Sequence, residues 1–364
     1  MSRSAATSCC PSGTCAEGGA ATVWKTNTTV DEVAGTLRAA KSLVITTHGK
    51  PDGDAIGSTV ALARSLMACG VSVEVWYIGP VAEWTAEFTR GVKLREFAPG
   101  KPVEIAGLPD PDLSVVVDTG SWTQVAELKP WLVGRAGKTI NIDHHLHGDA
   151  EMSSKRIVET ACASCTQVLA PLCVKLLGVA SVAKLPLEIA EPLYLGLATD
   201  TGWLRYSNVT PDTLRLAAEL IEAGVDHTRL YRVIEQQDKP SRWQLLGRAL
   251  NSLKLEDGGR VATMVLSLKD FAETGSDATE TSGFADMVLA VSTVQVSAVL
   301  TETAVSAGEP PLTKISFRSK PGPNAVDVNA VANTIGGGGH ARAAGAKTRT
   351  DLEAARKLVV EKLR

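Results

Sequence analysis

The chain contains no run of about 18 consecutive apolar residues, so no part of it is expected to cross a membrane as a helix. An even, regular cysteine framework is also missing. The seven cysteines, Cys9, Cys10, Cys15, Cys69, Cys162, Cys165 and Cys173, are irregularly spaced, which excludes a disulfide-stapled scaffold and fits a reducing cytoplasm. The first 22 residues lack the basic-then-apolar order of a secretory signal. They are small, polar and Gly-rich, and read as a disordered tail with inert thiols. Nor is there an excess of one charge: the net charge is −3 and the pI about 6.1. That balance argues against a broad basic face for long nucleic acid, yet allows a small anionic ligand in a local pocket.

What is present is ordinary for a globular protein, with 44% apolar and 21% charged residues. At 364 residues the chain exceeds the usual size of one hydrophobic core, and two domains are expected. From residue 42, short β-branched runs alternate with longer helical stretches. Ser42–Thr47, Val71–Ile78, Leu113–Val117 and Lys138–Ile142 read as strands. Ala55–Cys69, Ala161–Leu177, Leu187–Leu197 and Pro211–Ala223 read as helices. This alternation implies an α/β fold with a mostly parallel sheet flanked by helices and right-handed crossovers. In such sheets, ligands gather beyond the carboxyl ends of the strands.

A polar helical stretch, about Thr228–Leu253, then leads into a second, smaller α/β unit. Its expected strands are Val261–Leu266, Gln295–Thr303 and Thr313–Arg318, with helices near Thr281–Val291, Asp327–Thr334 and Asp351–Leu363. The divisions read as tail 1–22, catalytic domain 23–225, helical linker 226–250 and substrate domain 251–364, with a cleft between the two domains.

The first domain concentrates metal-competent side chains where strands or turns end. They lie in Thr47-His48-Gly49-Lys50-Pro51-Asp52-Gly53-Asp54, at Asp118 after Val115-Val116-Val117, in Asn141-Ile142-Asp143-His144-His145, and in Ala198-Thr199-Asp200-Thr201-Gly202. Asp52 and Asp54 flank Gly53 on a turn, so their carboxylates can serve different cations. Asp118 is placed to bridge two ions, a task for a carboxylate with two oxygens at a metal spacing of roughly 3.5–4 Å. His48 would complete one ion, and His144 with Asp200 the other. The mixture of imidazole and carboxylate suits two divalent cations, Mn²⁺ before Ca²⁺. Asp143 would orient a histidine and fix its tautomer. Any one aspartate alone reads better as a turn or N-cap residue, and only the set argues for a metal site. His147 and Asp149 read as solvated loop residues. Cys162-Ala-Ser-Cys165 has redox spacing but opens a helix and reads as structural. Trp76, Trp84, Trp122, Trp131 and Trp243 read as packing residues, and Trp203 and Tyr206 as candidates for lining the site.

In the second unit, Gly336-Gly337-Gly338-Gly339-His340 exposes bare backbone N–H groups that can wrap an anion. Arg318, ending a strand, offers a guanidinium that can fork a phosphate. From Leu312 onward ten Lys/Arg face four Asp/Glu, which favours an anionic ligand.

Taken together, the HGKPDGDAIGS stretch from His48 to Ser58, Asp118, Asp143-His144-His145, Asp200 in ATDTGW and the GGGGH run resemble the DHH/DHHA1 phosphoesterases. The likeness is in particular to the short bacterial members of the nanoRNase and pAp-phosphatase type. The resemblance covers nearly everything after residue 23. It implies an N-terminal DHH domain and a smaller C-terminal DHHA1 domain. By it, His48, Asp52, Asp54, Asp118, His144 and Asp200 match metal-ligand positions and His145 the residue that contacts the scissile phosphate. Arg318, Gly338, Gly339 and His340 match the substrate-holding set. Lys50 stands where the family often has Asn, and Arg342 where it varies. The expected activity is metal-dependent hydrolysis of short 5′-phosphorylated oligoribonucleotides to nucleoside 5′-monophosphates, with pAp and dinucleotides as related substrates. A pyrophosphatase or polyphosphatase and a silent nucleotide sensor are the alternatives. The expected partner is a small nucleotide or short RNA, with no long duplex and no membrane; a homodimer is compatible with all of this.

Overall fold

The computed structural model describes residues 23–322 and 324–363, so the tail with Cys9, Cys10 and Cys15 lies outside the described residues. The chain divides into two compact units between Ile234 and Glu235.

The first unit is built on six strands, β1 (Ser42–Thr46), β2 (Ser72–Ile78), β3 (Lys93–Phe97), β4 (Leu113–Val117), β5 (Thr139–Asp143) and β6 (Lys155–Val158). Their spatial order is β3-β2-β1-β4-β5-β6. Every neighbouring pair is parallel. Both faces are covered, which is why β1, β4 and β5 are almost wholly buried, polar Ser114, Thr139 and Asn141 included. Alternate residues nonetheless go to different cores. Leu43 and Ile45 join the larger core under the main helices, whereas Val44, Val116 and Ile78 pack with Trp76, Trp122 and Trp131 on the other face. The two edge strands, β3 and β6, escaped the sequence reading because they carry charge (Lys93, Arg95, Glu96; Lys155, Arg156) rather than an apolar run.

The helices that shape the site are α1 (Val30–Ala39), α2 (Gly53–Ala68), α5 (Cys165–Leu177), α6 (Leu187–Asp200) and α7 (Pro211–Glu222), with two short helices, α3 (Thr85–Phe88) and α4 (Lys129–Val133), between them. Helices α2 and α6 approach closely because small residues face each other. A Cβ on Gly57 would lie 2.2 Å from the Pro192 carbonyl oxygen, and one on Gly196 2.5 Å from Asp54 Oδ1. No other residue type permits that spacing.

The expected continuous helical stretch is in fact two helices, α8 (His227–Glu235) and α9 (Pro240–Asn251). Pro240 opens the second, since it lacks an N–H and disfavours helix in the residue before it. The second unit carries a mixed sheet ordered β11-β12-β10-β9-β8-β7. Its strands are β7 (Lys254–Glu256), β8 (Val261–Leu266), β9 (Val296–Thr303), β10 (Leu312–Ser319), β11 (Gly338–His340) and β12 (Ala343–Thr348). Only the β8–β9 pair is parallel. Helices α10 (Leu268–Thr274), α11 (Phe284–Val288), α12 (Val328–Asn333) and α13 (Leu352–Leu363) complete it. Strand β12, AAGAKT, has little β-propensity, and its pairing with β10 rather than its own residues makes it a strand. Trp76, Trp122 and Trp131 are buried as expected, but Trp243 is 58% exposed and packs into no core.

Replacing Gly57 with Ala should therefore drive α2 off α6 against main chain that cannot yield. We expect a destabilisation of about 1–3 kcal/mol in urea unfolding, with unchanged slope.

Candidate metal centre

The strand order reverses between β1 and β4, and the candidate residues stand at the carboxyl ends on either side of that reversal. His48 follows β1, Asp118 follows β4, and Asp143-His144-His145 ends β5. Asp52 and Asp54 open α2, and Asp200 is the last residue of α6, not a strand end.

Three sets of ligand atoms lie close enough to share an ion: His48, Asp52 and Asp118; Asp54, His144 and Asp200; and Asp118, Asp143, His144 and His145. Asp118 links the first two. Its Oδ2 lies 3.5 Å from His48 Nε2 and its Oδ1 3.4 Å from His144 Nε2. The remaining spacings from these rings are 3.7 Å to Asp52, 3.8 Å to Asp54 and 3.6 Å to Asp200. Both imidazoles are turned by their other nitrogen. His48 Nδ1 lies 3.1 Å from the Gly49 carbonyl oxygen and His144 Nδ1 3.3 Å from that of Cys162. With the proton on Nδ1 donated to these oxygens, Nε2 presents a lone pair to the carboxylates, the state in which an imidazole binds a cation.

The histidine ring that Asp143 contacts is that of His145. Asp143 Oδ1 lies 2.7 Å from His145 Nδ1 and accepts the backbone N–H of His144 at 2.8 Å. Asp143 is fully buried, whereas the His145 ring is about half exposed. Asp54, buried to 1%, is anchored by the start of α5: the Cys165 N–H donates to Oδ2 at 2.5 Å and the Thr166 N–H to Oδ1 at 3.0 Å. The amide ends of that helix favour a carboxylate. Asp52 is the N-cap of α2, accepting from the N–H groups of Asp54 and Ala55, so its capping and site roles coexist. Asp118 adopts φ 60°, a left-handed conformation that Asp tolerates better than most residues. Lys50 also sits there, at φ 56°, which is strained for Lys and easier for Asn.

The electrostatics are those of a cluster built around positive charge. Burial pushes the Asp54 carboxyl well up, and the charges of Asp118 and Asp200 push it further. Burial likewise raises Asp200, to about 6. Burial opposes ionisation of Asp118 as well, but hydrogen bonds and charge from His144 and His48 outweigh it and hold it below its ordinary value. Burial lowers both imidazoles, yet Asp118 and Asp52 carry His48 up to about 11, and Asp118 and Asp54 carry His144 to about 9. Asp118 Oδ1 is buried and its neighbour in the cluster at close range is the His144 ring, 3.4 Å away. Carboxylates that resist ionisation, imidazoles that hold protons and a buried aspartate between them describe a place where divalent cations fit.

Some contributors were not legible in sequence. The Cys162-Ala-Ser-Cys165 segment acts through its backbone, by the Cys162 carbonyl and the Cys165 amide, while the Cys165 thiol is buried and its pKa raised by that burial. Asp149, expected to be a solvated loop residue, instead stitches loops together: its N–H donates to the Gly120 carbonyl at 2.7 Å and its Oδ2 accepts from the Trp122 N–H at 2.7 Å. His147 is exposed, as expected. Trp203 packs edge-on against Tyr231, and Tyr206 is 57% exposed.

In the second unit Arg318 and His340 pair with the same residue, Ala343, from opposite sides of β12. Arg318 Nε lies 3.2 Å from Asp286 Oδ2. The second half of the glycine run, with His340, forms the short edge strand β11, and Gly336 and Gly337 lead into it. A Cβ on Gly337 would strike the Gly345 carbonyl at 2.1 Å, and Gly339 adopts φ 151° against the Ala343 carbonyl. Those two glycines are demanded by β12, whereas Gly338 is not.

Residues 42–197 match the model of the DHH family, N-terminal domain, and residues 258–364 match the DHHA1 domain. A bifunctional oligoribonuclease and PAP phosphatase, NrnA, of Thermus thermophilus is 33% identical over 336 residues, covering 91% of this chain and 92% of that protein. The chain belongs to the DHH/DHHA1 family. A Bacillus subtilis protein of the same description is 26% identical over 334 residues, covering 86% and 92% of the two chains. An exopolyphosphatase-related protein of Bacteroides fragilis shares the fold, with a TM-score of 0.77 at 24% identity over 92% of this chain and 95% of that one. The two-domain α/β architecture is thus that of the family.

The protonation pattern fixes the sign of a pH dependence. In the cation-free protein Asp200 stabilises below its unfolded value of about 4 and loses that contribution as pH rises through about 6. His144 and His48 contribute fully below their unfolded value and lose it as pH rises through about 9 and about 11. Binding a cation must eject these protons, so affinity runs the other way. The gain in Tm on adding Mn²⁺ should grow from about pH 5.5 to about pH 8, with apparent affinity rising up to about tenfold per pH unit for each proton released. A gain independent of pH would show that these groups are not displaced by the ion.

Proposed function

We propose that this chain is a metal-dependent phosphoesterase that hydrolyses short 5′-phosphorylated oligoribonucleotides to nucleoside 5′-monophosphates, with pAp and dinucleotides as substrates of the same chemical class. The observation that carries the reading is Asp118, whose two oxygens face two separate imidazole–carboxylate groups. His48 and Asp52 would hold one cation and Asp54, His144 and Asp200 the other, with Asp118 between them and Mn²⁺ as the favoured ion. Two cations held by these residues would supply a nucleophilic water near neutral pH and would neutralise charge on the phosphoryl oxygens.

The chain's own groups do the rest. Asp143 holds His145 Nδ1, and this contact before any other raises the His145 pKa, which favours the protonated ring. The exposed Nε2–H can then donate to a phosphoryl oxygen as negative charge builds on it. Arg318, His340 and the backbone at Gly338 and Gly339 would hold a second phosphate or a base and so limit substrate length. The activity named for the Thermus thermophilus and Bacillus subtilis relatives supports this choice of substrate. The four described cysteines are all free, which supports a cytoplasmic location.

Release of mononucleotide from a 5′-phosphorylated RNA dinucleotide, pAp and cyclic di-AMP, and of phosphate from pyrophosphate, each with Mn²⁺ and with chelator, tests the reading. Chelator-sensitive turnover of the dinucleotide or pAp is expected; turnover of pyrophosphate alone would replace it with a pyrophosphatase. Asp118→Ala should lower kcat by at least about 10³-fold while far-UV circular dichroism stays unchanged, because both cation positions lose a shared ligand.

A further inference from the structure

Trp24 stands outside every motif of the metal centre, yet it touches both loops that carry it. Its indole Nε1–H donates to the backbone oxygen of His145 at 3.1 Å, across 121 positions of sequence. Its ring also fills the space beside two glycines. A Cβ on Gly120 would lie 1.9 Å from the indole Cη2, and one on Gly148 would lie 2.5 Å from Cε2. Neither glycine has positive φ, so backbone conformation does not call for glycine at either place. The indole does. Gly120 lies two residues after Asp118, and Gly148 three after His145.

The segment bearing Trp24 is itself anchored. Thr26 Oγ1 donates to the Val158 carbonyl and accepts from the Val158 N–H, both at 2.8 Å. Asn27 brackets Arg156: its N–H donates to the Arg156 oxygen at 3.0 Å, and its Oδ1 accepts the Arg156 N–H at 2.6 Å. These contacts cover the outer edge of β6, where a parallel sheet would otherwise present unpaired amides. Trp24 is therefore delivered to the site by a strap fixed along the sheet edge.

Asp149 also joins the two loops, through the Gly120 carbonyl and the Trp122 N–H. Trp24 ties them a second time, through the His145 oxygen and the space beside Gly120 and Gly148. His145 is consequently held at two points, its ring by Asp143 and its main chain by Trp24.

We propose that Trp24 is a positioning residue for phosphoester hydrolysis, locking the His145 loop against the Asp118 loop so that the His145 ring meets the phosphoryl group. This rests on the function proposed above. Misplacement of a catalytic side chain by about 1 Å can cost on the order of 100-fold in rate. A residue that only fills space would change stability without a selective loss of kcat.

The test compares the full-length chain with Trp24→Ala, which removes ring and donor, and Trp24→Phe, which keeps a ring without the N–H. Three quantities are read: kcat and KM on the nucleotide substrate, Mn²⁺ affinity by calorimetry, and amide hydrogen exchange by mass spectrometry. Trp24→Ala is expected to lower kcat by about 10- to 100-fold while KM and Mn²⁺ affinity stay within about threefold. Trp24→Phe should recover most of that loss. Exchange should quicken in peptides spanning residues 118–122 and 143–149 in both variants, more in Trp24→Ala, and stay unchanged over 53–68. Unchanged exchange in those loops, or a kcat equal to the parent's, overturns the proposal. So does a loss of Mn²⁺ affinity in step with kcat, which would make Trp24 a general support of the metal centre. If Trp24→Ala does not fold, Trp24→Phe decides alone: quickened exchange at 143–149 with a kcat measurably below the parent's supports the proposal, and parent-like exchange or kcat overturns it. If the parent chain cleaves no nucleotide, the function reading fails, and the exchange measurement by itself decides whether Trp24 locks the loops.

Discussion

Asp54 and Asp118 are both almost fully buried at one end of a parallel sheet, and Asp200 joins them at the end of α6. Two carboxylates about 4 Å apart repel by about 4 kcal/mol at an effective dielectric constant of 20, and burial adds to the cost. Without cations the cluster answers in the only ways open to it: Asp54 and Asp200 resist ionisation, and His48 and His144 hold protons beyond their ordinary range. The imidazoles then stand where positive charge is needed. Divalent ions relieve the same repulsion while freeing both rings to act as ligands.

The surrounding structure serves that cluster. Reversal of strand order between β1 and β4 opens the crevice that His48 and Asp118 flank. Glycines at 57 and 196 let α2 and α6 close up, which brings the start of α2, with Asp52 and Asp54, beside the end of α6, with Asp200. The first amides of α5 bind the carboxylate of Asp54, so the most costly buried charge is met by a helix N-terminus as well as by the imidazole of His144. Each of these contacts joins parts of the chain far apart in sequence, so the site exists only once the first unit has folded.

The sequence shows the donors better than it shows what aims them. His48, Asp52, Asp54, Asp118, His144 and Asp200 could be named because imidazoles and carboxylates at the ends of apolar runs are unusual, and the structure brings these six together. The Cys162 carbonyl, the Cys165 and Thr166 amides and the Trp24 indole carry no such mark, since backbone groups are the same in every residue and Trp24 lies before the first strand. For the fold, central strands were legible from short β-branched runs alternating with helical stretches. Edge strands β3 and β6 were not, because an edge tolerates Lys, Arg and Glu. Strand β12 was hidden by its alanines and glycine, and the glycine run before it reads only as backbone for an anion, although packing against β12 demands glycine at 337 and 339.

Electron paramagnetic resonance of the Mn²⁺-loaded chain, titrated to saturation, tests the central claim that Asp118 joins two cation positions. The account predicts two Mn²⁺ per chain whose signals are exchange-coupled, with the coupling lost in Asp118→Ala. A single uncoupled Mn²⁺ at saturation would contradict it.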